Sequence, residues 1–262
     1  MRAVSLMYHD VCDVPSASGF GGADADAYKI SVHDFVQHLK ILADAGCDFS
    51  RTVDRCDLPS EEIPLFMTFD DGGIGAMLAA DLLEKQGWKG HFFVTTSRIE
   101  SEGFLGRRNI VELDARGHLI GTHSHSHPLR MGSLQTHVIT EEWQKSMQVL
   151  EDILSKRVTV ASVPGGYFSK RVRDAAIASG IRTLFTSEPT VSISVSNDCK
   201  IVGRFVLNNR TPANTVLDLV SNNRFARERQ LIIWNAKKPI KSIGGEVFLN
   251  FRRRFARFRT IK

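Results

Sequence analysis

The sequence predicts an α/β fold built on a parallel sheet, either open or closed into a barrel. The first observation is alternation. Short strand-like runs are separated by stretches of helical period, as parallel strands joined by crossover helices require. The second is size: 262 residues, 42% hydrophobic and 24% charged, suffice for a single α/β barrel with a full core. The third is where unusual residues fall. Adjacent aspartates, a histidine cluster and a Pro-Gly-Gly turn each follow a strand-like run, at the edge where α/β folds build their sites.

In chain order, Ala3 to Tyr8 reads as the first strand. Residues 12–28, CDVPSASGFGGADADAY, read as a long loop of the kind that borders a site. Ser31 caps a helix with Phe35, Leu39, Leu42 and Ala45 on one face, and Gly46 ends it. Leu65 to Phe69 is a strand, and a helix runs from about Ile74 to Gln86, closed by Gly87. A strand at His91 to Thr95 and a short helix near Asn109 to Arg116 come next. Leu119 to Thr122 is a strand, after which Thr140 is expected to cap a helix carrying Trp143, Met147, Leu150 and Leu154. Val158 to Val163 is a strand, and Ser169 caps a helix ending at Gly180. Strands near Thr183 to Thr186 and Ile201 to Val206 precede a last helix from about Ala213 to Ser221. Trp88, Trp143 and Trp234 sit at element positions, where tryptophan is more often core than a sugar-stacking surface.

The net charge of +5 is unevenly placed. From Lys237 to Lys262 there are nine basic residues and one acid, so the body before them is mildly acidic. An acidic body excludes a nucleic-acid-binding reading of the high pI. In the tail, Phe248, Phe251, Phe255 and Phe258 share one helical face among arginines. Such a segment either docks on its own domain or makes peripheral contact with an anionic membrane. The division expected is residues 1–235 for the α/β domain and 236–262 for a basic amphipathic tail. The start, MRAVSLMYHDV, lacks a secretory apolar region, and no run of about 18 apolar residues exists. Cys12, Cys47, Cys56 and Cys199 have no CxxC spacing. A reduced, cytoplasmic setting is expected.

Three stretches carry the chemistry. In FMTFDDG, Asp70 and Asp71 end an apolar run, where charges resist burial unless paired or bound to a metal. GTHSHSHP offers His123, His125 and His127, and imidazoles gathered with a carboxylate make a site for zinc or a similar ion. SVPGGYFS places Gly165 and Gly166 before Tyr167, where backbone can approach a ligand closely.

TFDDG followed about fifty residues later by H-S-x-x-H-P resembles the polysaccharide deacetylase family, carbohydrate esterase family 4 with its NodB-like domain. The resemblance spans roughly residues 4–206. It implies a distorted (β/α) barrel, a divalent metal such as Zn2+, and removal of acetyl groups from N- or O-acetylated sugars. It makes Asp70 the general base and Asp71, His123 and His127 the metal ligands, with Ser124 supporting the loop and His125 at a variable position. It places an oxyanion hole at Gly165, Gly166 and Tyr167. The family motif there has an Arg where this chain has Ser162, and Arg204 is a substitute on position. The family's Leu-x-His is absent, and Glu188 takes no assigned role. His9 in LMYHDV resembles the N-terminal Tyr-His of circularly permuted members, which implies a general acid or substrate contact. The expected activity is a metal-dependent hydrolase removing acetyl groups, N-linked first, from an amino sugar or glycan intermediate in surface polysaccharide synthesis, in the cytoplasm or at the inner face of the membrane. The alternatives are a catalytically silent glycan-binding relative and an amidase on a non-sugar amide.

Overall fold

Nine strands form one curled sheet in the computed structural model, which describes residues 1–56, 62–221 and 223–243, with side chains described as far as residue 236. The expected aromatic face at Phe248, Phe251, Phe255 and Phe258 lies outside the described residues. The elements run β1 (Val4–Tyr8), β2 (Asp10–Val11), α1 (Ala23–Asp26), β3 (Lys29–Ile30), α2 (Val32–Asp44), β4 (Leu65–Phe69), α3 (Gly75–Glu84), β5 (Gly90–Val94), α4 (Arg107–Ala115) and β6 (Leu119–Thr122). They continue with α5 (Thr136–Leu154), β7 (Val160–Ser162), α6 (Lys170–Ala178), β8 (Thr183–Phe185), β9 (Ile193–Ser196), β10 (Cys199–Val202), β11 (Phe205–Val206), α7 (Ala213–Val220) and α8 (Arg224–Ile243). The strand order is β11-β1-β4-β5-β6-β7-β8-β10-β9, and every pairing is parallel except β9 with β10.

The sheet closes on itself. β10 and β11 stand near opposite ends of the strand order, yet only Gly203 and Arg204 separate them in the chain. Arg2 also bridges Ser192 beside β9, and Ala3 N–H donates to Val191 O at 2.9 Å. The result is the distorted barrel that the resemblance implied. β1 and β5 are buried along their whole length, as parallel strands covered on both faces must be. Alternation along β4 sends Phe66 inward to meet Phe93, Val160, Phe185 and Val202 in the barrel interior. Met67 and Phe69 face outward under α2, α3 and α4. A separate apolar cluster joins α5 and α6 to β7 and β8, with Trp143 at its centre.

Ser31 caps α2 by accepting from Asp34 N at 3.0 Å, and Ser169 caps α6 by accepting from Val172 N at 3.2 Å, both as expected. α5 departs from expectation. It starts at Thr136, and Thr140 lies inside it, donating its hydroxyl to the Thr136 carbonyl at 3.0 Å. A hydroxyl that could cap a helix bonds back one turn instead. The single strand expected over 201–206 is two, because the chain changes sheet edge at Gly203–Arg204. β9 and α8 were not anticipated. α8 is anchored by Arg227, which donates to the carbonyls of Leu219, Val220 and Ser221 at the end of α7. Among the described residues no helix is long and apolar enough to cross a membrane.

Candidate active site

By strand alternation Phe66, Thr68 and Asp70 share the inward face, so Asp70 stands on top of the barrel interior. It is 3% exposed, and its amide extends the ladder by donating to Tyr8 O at 3.1 Å. The next residue breaks the alternation. Asp71 has φ 74°, and its carbonyl accepts from Thr95 N at 3.2 Å. A left-handed aspartate is strained backbone, which persists where the surroundings over-determine it. Here the turn keeps both carboxylates on one edge.

β6 delivers the histidines. His123 N–H donates to Val94 O at 2.9 Å, and its ring Nδ1–H donates to the Ser162 carbonyl at 3.0 Å. That bond fixes the ring and aims Nε2, the nitrogen that would meet a metal, at Asp71 Oδ1, 3.4 Å away. Ser124, at φ 66°, carries the turn, and its hydroxyl accepts from His127 N at 3.1 Å. His127 Nε2 then also lies 3.4 Å from Asp71 Oδ1. The ligand atoms of Asp71, His123 and His127 fall within 4.8 Å of one another. Two imidazole nitrogens and one carboxylate oxygen are the donor set of a catalytic zinc or similar ion, and a carbonyl behind His123 is its usual orienting partner. The residues therefore fit a divalent metal. His125 lies outside the cluster, bonded through Nδ1 to Thr96 Oγ1 at 3.0 Å.

Arg204 reaches Asp70 from across the barrel. Its two terminal nitrogens donate to Asp70 Oδ1 at 2.7 Å and Oδ2 at 2.8 Å. It also donates to Ser162 Oγ at 2.7 Å, Thr68 Oγ1 at 3.0 Å and Thr186 O at 3.1 Å, with Phe93 and Phe185 flanking the guanidinium. Arg204 is fully buried. Burial alone would push the Asp70 carboxyl up, but Arg204 and then His123 override it and hold it below the usual carboxylate range. Asp71 is likewise drawn down against its burial, by the hydrogen bond to His123 and by the charge of His9. Burial pulls His127 down to about 4, so it is a neutral imidazole at pH 7.

His9 follows β1 onto the same edge, where Asp71, Asp70 and His123 all act on its charge. Burial lowers its pKa despite those carboxylates. Its Nδ1 is buried with no hydrogen-bond partner among the described residues, and its ring lies 4.7 Å from that of Tyr28. The turn Pro164–Gly166 follows β7, with Gly165 at φ 63° and Gly166 at φ 68°. A Cβ on Gly166 would lie 3.1 Å from the Trp234 ring, so α8 walls this turn. The segment 12–28, expected as a loop throughout, carries the short helix α1, and it borders the cluster, since its Phe20 ring sits 4.9 Å from that of His127.

Sequence reasoning missed three contributors. Ser162, read as a lost motif residue, donates to Asp70 Oδ2 at 3.2 Å while accepting from Arg204. Phe20 and Glu142, which bonds Ser126, come from elements with no motif of their own.

A family model described as polysaccharide deacetylase matches residues 58–184. An uncharacterised 30.6 kDa protein of Geobacillus stearothermophilus is 29% identical over 126 residues, which is 47% of this chain and 46% of that protein. The match thus spans about half the length of that relative. Among solved structures, the polysaccharide deacetylase BC0361 of Bacillus cereus superposes with a TM-score of 0.72 at 22% identity, over 84% of this chain and 69% of that one. The Streptococcus pyogenes deacetylase PplD, solved with acetate, gives 0.69 at 20% identity over 84% and 99%. IcaB of Ammonifex degensii gives 0.67 at 21% identity over 86% and 97%. The structural likeness is one of fold, and the family model matches the stretch that carries the aspartate and histidine motifs, so over that stretch the chain is similar to polysaccharide deacetylases.

Proposed function

We propose that the protein is a metal-dependent hydrolase that removes acetyl groups, N-linked first, from an amino sugar or glycan intermediate of surface polysaccharide synthesis. One observation carries this reading: Asp70 is buried, ionised and clamped by Arg204, directly beside a donor set of two histidines and one aspartate. A silent glycan-binding relative has no use for a base kept ionised at such depth.

Asp71, His123 and His127 would hold the divalent ion, zinc by donor preference. When bound, the ion supplies Lewis acidity to the acetyl carbonyl and to water. Asp70 accepts the proton of the attacking water at Oδ2, the oxygen 3.9 Å from His123 Nε2. Arg204 keeps that carboxylate charged and fixes its plane through two parallel hydrogen bonds. The turn at Gly165, Gly166 and Tyr167 offers backbone N–H groups to the oxyanion. His9 is the general acid that hands a proton to the leaving amine.

Location is part of the same proposal. Cys12, Cys47 and Cys199 are free thiols, which suits a reducing cytoplasm. α8 exposes Phe225, Ile232 and Ile233 along one stripe and leads into the basic segment 236–262, which suits peripheral contact with an anionic inner leaflet. An acetylated sugar carried there on a lipid is a fitting substrate.

The test is metal content measured beside acetate release. Wild type is expected to bind one zinc and to release acetate from acetylated amino sugars. Asp70→Asn should keep the metal and lose activity by about a hundredfold or more. His123→Ala should lose both. Wild type that binds zinc and cleaves only small non-sugar amides moves the amidase reading ahead. Wild type that binds no metal defeats the proposal.

A further inference from the structure

The two histidines of the donor set are oriented by different means. His123 has a ring bond of its own, Nδ1–H to the Ser162 carbonyl at 3.0 Å. No hydrogen bond reaches Nδ1 of His127 among the described residues. Its ring direction depends on the backbone beneath it and on the Phe20 ring 4.9 Å away. That backbone is strained. Ser124 and His127 both sit in the left-handed region, at φ 66° and φ 55°. Each such residue costs about 1–3 kcal/mol and keeps its shape only where its surroundings impose it.

Two elements impose it: the segment after β5, where Thr96 N–H donates to Ser124 O at 3.3 Å and Ser97 N–H to His125 O at 2.9 Å, and helix α5, which holds the part nearer His127. Glu142 accepts from Ser126 N at 2.8 Å through Oε2 and from Ser126 Oγ at 2.6 Å through Oε1. Both are charge-assisted bonds to the residue just before His127, and both oxygens of one planar group are used, which fixes direction as well as distance. The helix itself cannot shift easily. Trp143, next to Glu142, is fully buried, and Ser146 one turn on accepts from Thr122 Oγ1 at 2.5 Å. Thr122 Oγ1 in turn accepts from Ser124 N at 3.1 Å. α5 therefore grips the histidine loop at both ends. The end near His123 has further bonds to Val94 and Ser162, whereas the end near His127 has Glu142 and the Ser124 hydroxyl.

We propose that Glu142 is the positioning residue for His127: its grip on Ser126 sets the affinity of the donor set for its metal, a role that rests on the metal reading above. It touches neither substrate nor reacting atoms. Outer partners of metal ligands change affinity by about 10- to 100-fold when removed, and Glu142 acts one residue further out, through the backbone.

The experiment compares Glu142→Ala and Glu142→Gln with wild type. Zinc affinity is measured by competition with a chromogenic chelator. Amide exchange over residues 124–128 and the thermal midpoint are measured on metal-free protein. Glu142→Ala should weaken zinc by about tenfold or more, while Glu142→Gln, which keeps an acceptor for Ser126 N–H, should stay within about threefold. Exchange at Ser126 and His127 should quicken by about tenfold in the alanine variant alone, with the midpoint nearly unmoved, because the loop opens locally. Wild-type affinity and exchange in Glu142→Ala would overturn the proposal. So would equal losses in both variants accompanied by a lower midpoint, the mark of a general structural role. If wild type itself holds no zinc, the metal reading fails, and the exchange comparison still decides whether Glu142 positions His127.

Discussion

Replacing Arg204 by methionine removes five hydrogen bonds: two to Asp70 and one each to Ser162, Thr68 and Thr186. Asp70 is left 3% exposed with the Ser162 hydroxyl at 3.2 Å as its remaining side-chain donor. Unit charges about 4 Å apart at an effective dielectric near 20 attract by about 4 kcal/mol. Breaking one side of a buried ion pair costs about 3–5 kcal/mol, so the variant should lose roughly that much stability at pH 7. The pH dependence has a definite sign. In wild type the Asp70 carboxyl titrates below its unfolded value, so the pair's contribution is whole above that value and is lost as pH falls through the folded one. In the variant burial is opposed by His123 and His9 alone, so the carboxyl titrates higher than in wild type and acidification costs the variant less. The stability gap between the two proteins should therefore narrow from pH 8 towards pH 4. The acid limb of acetate release should move to higher pH in the variant, since the base protonates sooner. Denaturant titrations across that range, with the rate profile and the double variant Asp70→Asn/Arg204→Met, measure all of this. The double variant should be more stable than the two single losses together allow. Additivity within about 0.5 kcal/mol, with an unmoved acid limb, would refute the clamp.

Two further outcomes follow from the same geometry. Burial pushes the Asp10 carboxyl up to about 6, so the folded state binds a proton that the unfolded chain has released, and stability should fall as pH rises from about 4 to about 6. Two units correspond to roughly 3 kcal/mol, and Asp10→Asn should flatten that slope in denaturant titrations. Zinc at about a hundred times its dissociation constant should stabilise the protein by about 2.7 kcal/mol, and His127→Ala should abolish the shift in thermal midpoint.

How far the sequence could be read depended on how local each cause was. The strands at Leu65–Phe69 and Leu119–Thr122 match expectation to the residue, because a buried parallel strand is a continuous apolar run with sharp punctuation at its end. β9 was missed because ISVS is half exposed, serine-rich and antiparallel, with no helix following it. α8 was missed because its inner face is mixed: Arg227 and Gln230 do its anchoring by hydrogen bonds to carbonyls rather than through an apolar stripe. Within the site, Asp70, Asp71, His123 and His127 were readable because residues adjacent in sequence act together. Arg204 could be named on position only, since its partner lies 134 residues upstream. Glu142 carried no signal, since a glutamate on a half-exposed helix face is ordinary and its meaning lies in Ser126, 16 residues away.

Arg204 also explains why the absence of an arginine at position 162 is compatible with an ionised Asp70, the base we propose. Ser162 is small enough to leave the top of the barrel to a side chain coming from the other side, and Arg204 comes from the seam where the curled sheet meets itself. Its amide donates to Glu188 O at 2.9 Å, and Thr186 N–H donates to Val202 O at 2.8 Å, so seam and clamp are one piece of backbone. Gly203 makes that possible. A Cβ there would lie 2.4 Å from Glu188 O and 2.5 Å from Thr190 Cγ2, closer than any packed contact. Gly203→Ala must therefore push the seam apart, at a cost of about 1–3 kcal/mol. If barrel closure sets the base, the displaced Arg204 loosens its hold on Asp70, and the acid limb of the rate profile moves the same way as in Arg204→Met. A Gly203→Ala protein that loses stability while keeping the wild-type acid limb would show that closing the barrel and charging the base are separate matters.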